Sequence, residues 1–191
     1  MNIKKYHIYH IKDEYFNLLN DKTLMVNHEN GKTRPTFYCI QDDKNRNIYW
    51  FIPMSSKIEK YKSIKENIIK KYGKCENIII AKFINKETAF LLQNAFPIIE
   101  KYIDHSHIIN NVEVSLARKD AELIENTFKT VLEKARHGVK IMFTDIKNDY
   151  SLMEKELKNE RNSIKDMIKD AKEKSEKQVI KNVIKNKDLM L

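Results

Sequence analysis

Ile48 to Ile52 (I-Y-W-F-I) is an apolar run of the length of a buried strand, and Pro53 stands directly behind it. A residue without an N–H cannot donate to a central ladder, so the strand is predicted to end at Ile52. Apolar residues then recur at Ile58, Tyr61, Ile64, Ile68 and Tyr72, the period of an amphipathic helix. Gly73 follows where a left-handed C-terminal cap is wanted. Strand, tight turn and helix must therefore follow one another without a linker, which commits the chain to a mixed fold.

The turn between them carries the polar chemistry. Ser56-Lys57-Ile58-Glu59 matches a capping box, in which the serine accepts an amide three residues on and the glutamate reaches back. That gives Ser56 a structural duty and leaves Ser55 with none. Ser55 then lies just outside a helix N-terminus, whose free N–H groups and dipole favour an anion such as a phosphate. Lys57, expected in the first helical turn, is mildly misplaced there unless something negative docks beside it. Residues 57–74 hold seven lysines against two glutamates, so positive charge is concentrated on this segment. With Tyr61 and Tyr72 interleaved the segment suits an RNA-contacting helix, the alternative being an ordinary solvated face.

Other segments read more simply. Lys5–Ile11 alternates weakly, as a strand does, and Tyr15, Phe16, Leu18 and Leu19 suggest a short helix. Residues 20–34 are polar with a turn at Asn30-Gly31 and are expected to form a mobile loop. Thr36–Gln41 is a strand that should pair antiparallel with the central one across a hairpin loop at 42–46. Two more strands are expected at 78–84 and 88–92. The segment after Phe96-Pro97 is either a short helix or an irregular edge, and 112–114 is a last short strand. Residues 117–136 form an amphipathic helix with Ala121, Ile124, Phe128, Val131, Leu132 and Ala135 on one face, closed by His137-Gly138. So many short strands in so short a span point to a small barrel or a strongly bent sheet.

The composition changes after Asp145, where no glycine or proline occurs and Glu/Lys pairs recur at helical spacing. A long, mostly solvated helix is expected there, giving a domain at 1–145 and a charged extension at 146–191. The 191 residues carry a net charge of +9, which points to an anionic partner, nucleic acid first and an anionic membrane second. No run approaches the roughly 18 apolar residues of a spanning helix, and the N-terminus lacks the apolar core of a signal peptide, so a cytoplasmic protein is expected. Cys39 and Cys75 are isolated and read as small buried hydrophobes. Walker, dinucleotide, G-x-S-x-G and H-E-x-x-H signatures are absent from the sequence.

The histidines give little. His7 and His10 lie three apart on a strand and so face opposite sides. His105-x-His107 has metal-ligand spacing but no third ligand nearby in sequence, and solvated loop histidines are the plainer reading. His28 is a weak acid–base candidate. Tyr15 is either half-buried packing or functional. Arg34, just before the strand at 36–41, is either a surface residue or aims its guanidinium at the turn carrying Ser55.

Four blocks, R-P-T-F-Y-C-I at 34–40, Y-W-F-I-P-M-S-S-K-I-E-K-Y at 49–61, N-A-F-P-I-I at 94–99 and the helix at 118–137, resemble the endoribonuclease toxins of type III toxin–antitoxin systems, the ToxN, AbiQ, CptN and TenpN group. The resemblance runs from about Tyr9 to Ile146, and P-M-S-S-K is its most specific part. It implies an α+β fold with a compact, bent antiparallel barrel of the Kid/MazF type wrapped by helices, ahead of the long C-terminal helix. It also implies metal-independent RNA cleavage by the ribose 2′-hydroxyl, no cofactor, and inhibition by a small pseudoknotted repeat RNA. The family's active-site serine falls on Ser55, its lysine on Lys57 and an N-terminal tyrosine on Tyr15. Pro35 occupies the place of a basic residue, for which Arg34 is the substitute, and Met54 replaces a threonine found in some members. RNA contacts are expected at Lys32, Ser56, Lys60, Tyr61, Lys62 and Lys65. No residue offers itself as a general base. The competing readings are a non-catalytic RNA-binding module and a helical scaffold built on residues 145–191.

Overall fold

A computed structural model describes residues 3–29 and 31–188, with side chains described to residue 174. The order of elements is β1 (Ile8–Ile11), α1 (Asp13–Leu19), β2 (His28–Glu29), β3 (Lys32–Thr33), β4 (Thr36–Gln41), β5 (Ile48–Ser55), α2 (Ile58–Tyr72), β6 (Ile78–Phe83), β7 (Lys86–Leu91), β8 (Phe96–Ile99), β9 (Ile103–Ser106), β10 (Ile108–Ile109), β11 (Val112–Glu113), α3 (Arg118–Arg136) and α4 (Ile146–Asp188). The chain divides into two compact units, Met1–Met153 and Glu154–Leu191, and the division falls within α4.

Unit Met1–Met153 is built on one antiparallel sheet in the order β6-β7-β5-β4-β1-β9, with β8 also paired to β5. Among the described residues no pairing joins β6 to β9, and no closed barrel is found. Strand β5 changes neighbours along its length. Ile48–Phe51 pair with β8, whereas Met54 and Ser55 pair with β7.

Pro53 corrects the expected end of that strand. It sits opposite Thr36 of β4, and β5 runs on to Ser55. A proline is tolerated because it falls where β5 exchanges one neighbour for the other, so the missing N–H interrupts neither of those two ladders. The consequence for the site is direct: Ser55 is the last residue of a central strand, anchored by the ladder, rather than part of a free turn.

The sheet's main core face packs against α3. Phe37, Trp50, Ile52 and Phe90 meet Ile124, Phe128 and Val131 in one cluster. Each such side chain contributes roughly 1.5–3 kcal/mol through burial. Helix α2 covers a smaller cluster through Tyr61, with Ile58 and Ile64 beside it, and ends at Gly73 in the left-handed region. Its apolar seam fades along its length, and Tyr72 is exposed. The segment 20–34, expected as a loop, contains the β2–β3 hairpin, pairing His28 with Thr33 and Glu29 with Lys32. Asn30 of its expected turn lies outside the described residues, as do residues 189–191 of the C-terminal helix. No helix among the described residues is long and apolar enough to cross a membrane.

Candidate active site

The ends of β5 and β4 and the β2–β3 hairpin enclose an open trough of about 860 Å³. Three cations, Lys32, Arg34 and Lys57, and one carboxylate, Glu29, line it. Its volume falls within the roughly 300–1,000 Å³ typical of ligand sites.

Ser55 and Lys57 both face this trough. The expected capping box does not form. Lys57, not Ser56, is the N-cap residue of α2, and no side chain caps the helix. Ser55 and Ser56 exchange their expected duties: Ser55 Oγ accepts the Lys57 N–H at 3.3 Å, while Ser56 is exposed on the rim and contributes its carbonyl to the Ile58 N–H. Ser55 keeps its hydroxyl proton for another acceptor. Lys57 Nζ reaches Glu29 Oε1 at 2.5 Å.

Of the two readings open for Arg34, the guanidinium does point toward the turn, but its donors are engaged. It donates to the Met54 carbonyl at 3.0 Å, to Glu29 at 3.0 Å and to the Val26 carbonyl at 3.1 Å. The guanidinium thus ties the hairpin to the end of β5. The ammonium of Lys57, followed by the Arg34 charge, holds the Glu29 carboxyl below its ordinary range. Glu29 sits between two cations, Arg34 and Lys57, a placement not legible in the sequence because it depends on the hairpin folding over the turn.

The structure does not bring Tyr15 to the trough. Its side chain is fully buried, packed edge-on or tilted among Phe96, Phe16 and Tyr102, and its hydroxyl donates to the Pro97 carbonyl at 2.7 Å. Of the expected RNA contacts, Lys32 and Ser56 line the trough. Lys60, Tyr61, Lys62 and Lys65 lie along α2 outside it. Tyr61 is buried in the small cluster and has no face free to stack on a base. Lys62 pairs with Glu87 at 2.7 Å, and the Lys60 ammonium rests over the Tyr61 ring.

Two histidines that the sequence does not pair stand in the same trough. His10 Nε2 lies 2.8 Å from His107 Nδ1, and Thr33 Oγ1 lies 2.7 Å from His10 Nδ1. Both imidazoles line the trough with Ser55 and Lys57. Their sequence separation conceals the pair, since β1 and β9 become neighbours only in the folded sheet. His28 is also on the rim, bound to Asp13 at 2.7 Å. Among the described residues no group of three or more His, Cys, Asp or Glu side chains is placed to hold a metal ion.

No protein-family model and no curated protein matches the chain. Solved structures do match. One is AbiQ, a lactococcal anti-phage endoribonuclease belonging to the type III toxin–antitoxin system, with a TM-score of 0.62 at 18% identity, covering 81% of this chain and 99% of that one. Another comes from a bacterial antiviral system regulated by a processed non-coding RNA, with a TM-score of 0.55 at 14% identity, covering 78% and 95% respectively. This chain is therefore similar in fold to the endoribonuclease AbiQ of the type III toxin–antitoxin system, a member of the group that the four sequence blocks resemble.

Proposed function

We propose that the chain is an endoribonuclease toxin of a type III toxin–antitoxin system acting in antiviral defence. It cleaves RNA by attack of a ribose 2′-hydroxyl on the adjacent phosphate, leaves a 2′,3′-cyclic phosphate, and is held inactive by a repeat RNA antitoxin. The observation that carries this reading is the convergence of Ser55, Lys57 and Arg34 on one cationic trough in a chain with the fold of AbiQ. The endoribonuclease activity of AbiQ and the regulation of the second structure's system by a non-coding RNA support the same reading.

The reaction needs in-line geometry and donors aimed at the charge that builds on the phosphorane oxygens. Ser55 Oγ and the Lys57 ammonium supply such donors from within the chain, so the reading requires no metal ion. Arg34 positions them by fixing the end of β5. A phosphate entering the trough takes the place of the Glu29 carboxylate beside Lys57. Lys32 and the exposed lysines of α2 hold the flanking strand, a contact expected to weaken steeply with salt.

The test is cleavage of a ribose-containing RNA in the presence of a chelator, with analysis of the new ends. Cutting that leaves cyclic phosphate, is lost when the residue 5′ of the cut is 2′-deoxy, and is suppressed by the cognate repeat RNA is the expected result. Binding without cutting would favour a non-catalytic RNA-binding module.

A further inference from the structure

The donors described above stabilise charge but do not remove the 2′-hydroxyl proton. The only imidazoles hydrogen-bonded to each other among the described residues sit in the same trough. His10 lies on β1 opposite His105 of β9, with their rings stacked at 4.6 Å. His107, just past β9, is fixed through its backbone, its N–H donated to the Ile8 carbonyl at 2.7 Å and its carbonyl accepting the Val114 N–H at 3.1 Å. His10 is buried, whereas His107 is half-buried. The backbone therefore sets His107 in place and leaves its ring to meet His10 on one side and the trough on the other.

The hydrogen bonds permit two arrangements of protons. When His107 Nδ1–H donates to His10 Nε2, His10 Nδ1–H donates to Thr33 Oγ1, and His107 Nε2 is left with a bare lone pair. When the chain runs the other way, Thr33 donates to His10, His10 donates to His107, and His107 Nε2 carries the proton. The first arrangement is a base whose partner is oriented by a third group, the logic shared by activated catalytic pairs.

We propose that His107 is the general base of the cleavage and that His10 and Thr33 are positioning residues that hold its Nδ1–H inward. The inference rests on the endoribonuclease reading. His107 Nε2 takes the 2′-hydroxyl proton as the O2′–P bond forms. The P–O5′ bond breaks, and the Lys57 ammonium gives O5′ its proton; imidazolium and amine then exchange protons with water to reset. Burial, and after it the neighbouring His105 imidazole, lowers the His107 pKa from 6.5, which keeps the ring neutral at neutral pH. His10 is held at about 4 by burial first, then by His105 and His107, with the Asp104 carboxylate opposing them. The other charged groups lining the trough are Lys32, Arg34, Lys57 and Glu29.

The two rings share a hydrogen bond, so the rate profile is read for the pair rather than for either ring. Wild-type kcat should fall as the pH drops below the ordinary imidazole value of 6.5. In His107→Asn the side-chain amide can still meet His10 but has no nitrogen at the Nε2 position. This variant should lose roughly 10²–10⁴-fold in kcat. Its KM for RNA should stay within about threefold, its thermal midpoint should be unchanged, the acid limb should disappear, and added imidazole should restore part of the rate. Thr33→Val should cost about tenfold in kcat and shift the limb, because the orienting partner is gone. Nitrogen-15 spectra of the wild-type histidines should show His107 neutral at pH 7 with its proton on Nδ1, a readout that needs no variant to fold. A folded His107→Asn that cuts at the wild-type rate with the same limb, or a proton resident on Nε2 at neutral pH, would overturn the proposal. Wild-type protein that binds RNA but never cuts it would instead overturn the endoribonuclease reading, and this inference with it.

Discussion

Ser55 and Lys57 are two residues apart yet held by different forces, which gives them different sensitivities. Ser55 is only 5% exposed and is paired with Ala89 of β7 in the ladder. Lys57 keeps 59% of its side chain in solvent and is placed by Glu29 alone among its described ion pairs. A phosphate therefore competes with Glu29 for Lys57. Glu29→Gln is expected to tighten binding of an RNA blocked by 2′-deoxy substitution by roughly 2–5-fold at low salt, the gain shrinking as salt is added. Titration of labelled RNA checks this, and weaker binding would mean that Glu29 serves Lys57 as a splint rather than as a rival of the substrate.

Asp42 shows how a residue that looks unremarkable in sequence can organise several elements. It is fully buried and accepts from Trp50 Nε1 at 2.7 Å, from the Tyr150 hydroxyl at 2.9 Å, from the amides of Lys44 and Asn45, and from the Arg136 guanidinium. Burial pushes its carboxyl up, and these donors together bring it below the ordinary range. It joins the β4–β5 hairpin to α3 and to the first turns of α4. Asp42→Ala leaves those donors unpaired and should cost about 3 kcal/mol or more, read by chemical denaturation. Gly73→Ala should cost about 1 kcal/mol, because the cap requires φ of +78°, and should leave RNA cleavage unaltered.

The elements themselves were largely legible. The periodicity of residues 117–136, the β-branched run at 36–41 and the glycine after Tyr72 each report a local preference that the packed chain keeps. What the sequence hid was decided by partners. Pro53 reads as a stop until two different neighbours of β5 are known, and Ser56 reads as a cap until Ser55 is seen to take the Lys57 amide. Tyr15 reads as either half-buried packing or a functional residue, and the aromatic packing around Phe96 encloses it. His10 and His107 are 97 residues apart, and no spacing rule connects them.

In the whole molecule, the compact unit ends at Met153, inside α4. Asp149 and Met153 are fully buried and Tyr150 bonds Asp42, so the start of this helix belongs to the body that carries the trough. We propose that residues 154–191 are dispensable for cleavage. A chain ended after Met153 should cut like the full one, whereas a chain ended after Asp145 should melt several degrees lower because buried side chains are lost.

Asp149 also sets a pH dependence of stability. Burial, and then the Asp21 and Asp145 carboxylates, raise its pKa from 3.8 to about 7, with the nearby Asn148 pulling the other way. Neither carboxylate oxygen has a partner of good hydrogen-bond geometry among the described residues. The unfolded chain releases this proton first, so the stability it contributes is whole below 3.8 and is lost as the pH rises to about 7. Asp149→Asn should match wild type near pH 4 and exceed it by roughly 2–4 kcal/mol at pH 8, as read from denaturation curves.

The most direct test of the central claim is the single-turnover rate of RNA cleavage by wild type, Ser55→Ala and Lys57→Ala, with the product ends identified. The account predicts cyclic phosphate ends from wild type and losses of roughly 10²-fold or more in each variant, with RNA still bound. Two folded variants that cut as fast as wild type would contradict it.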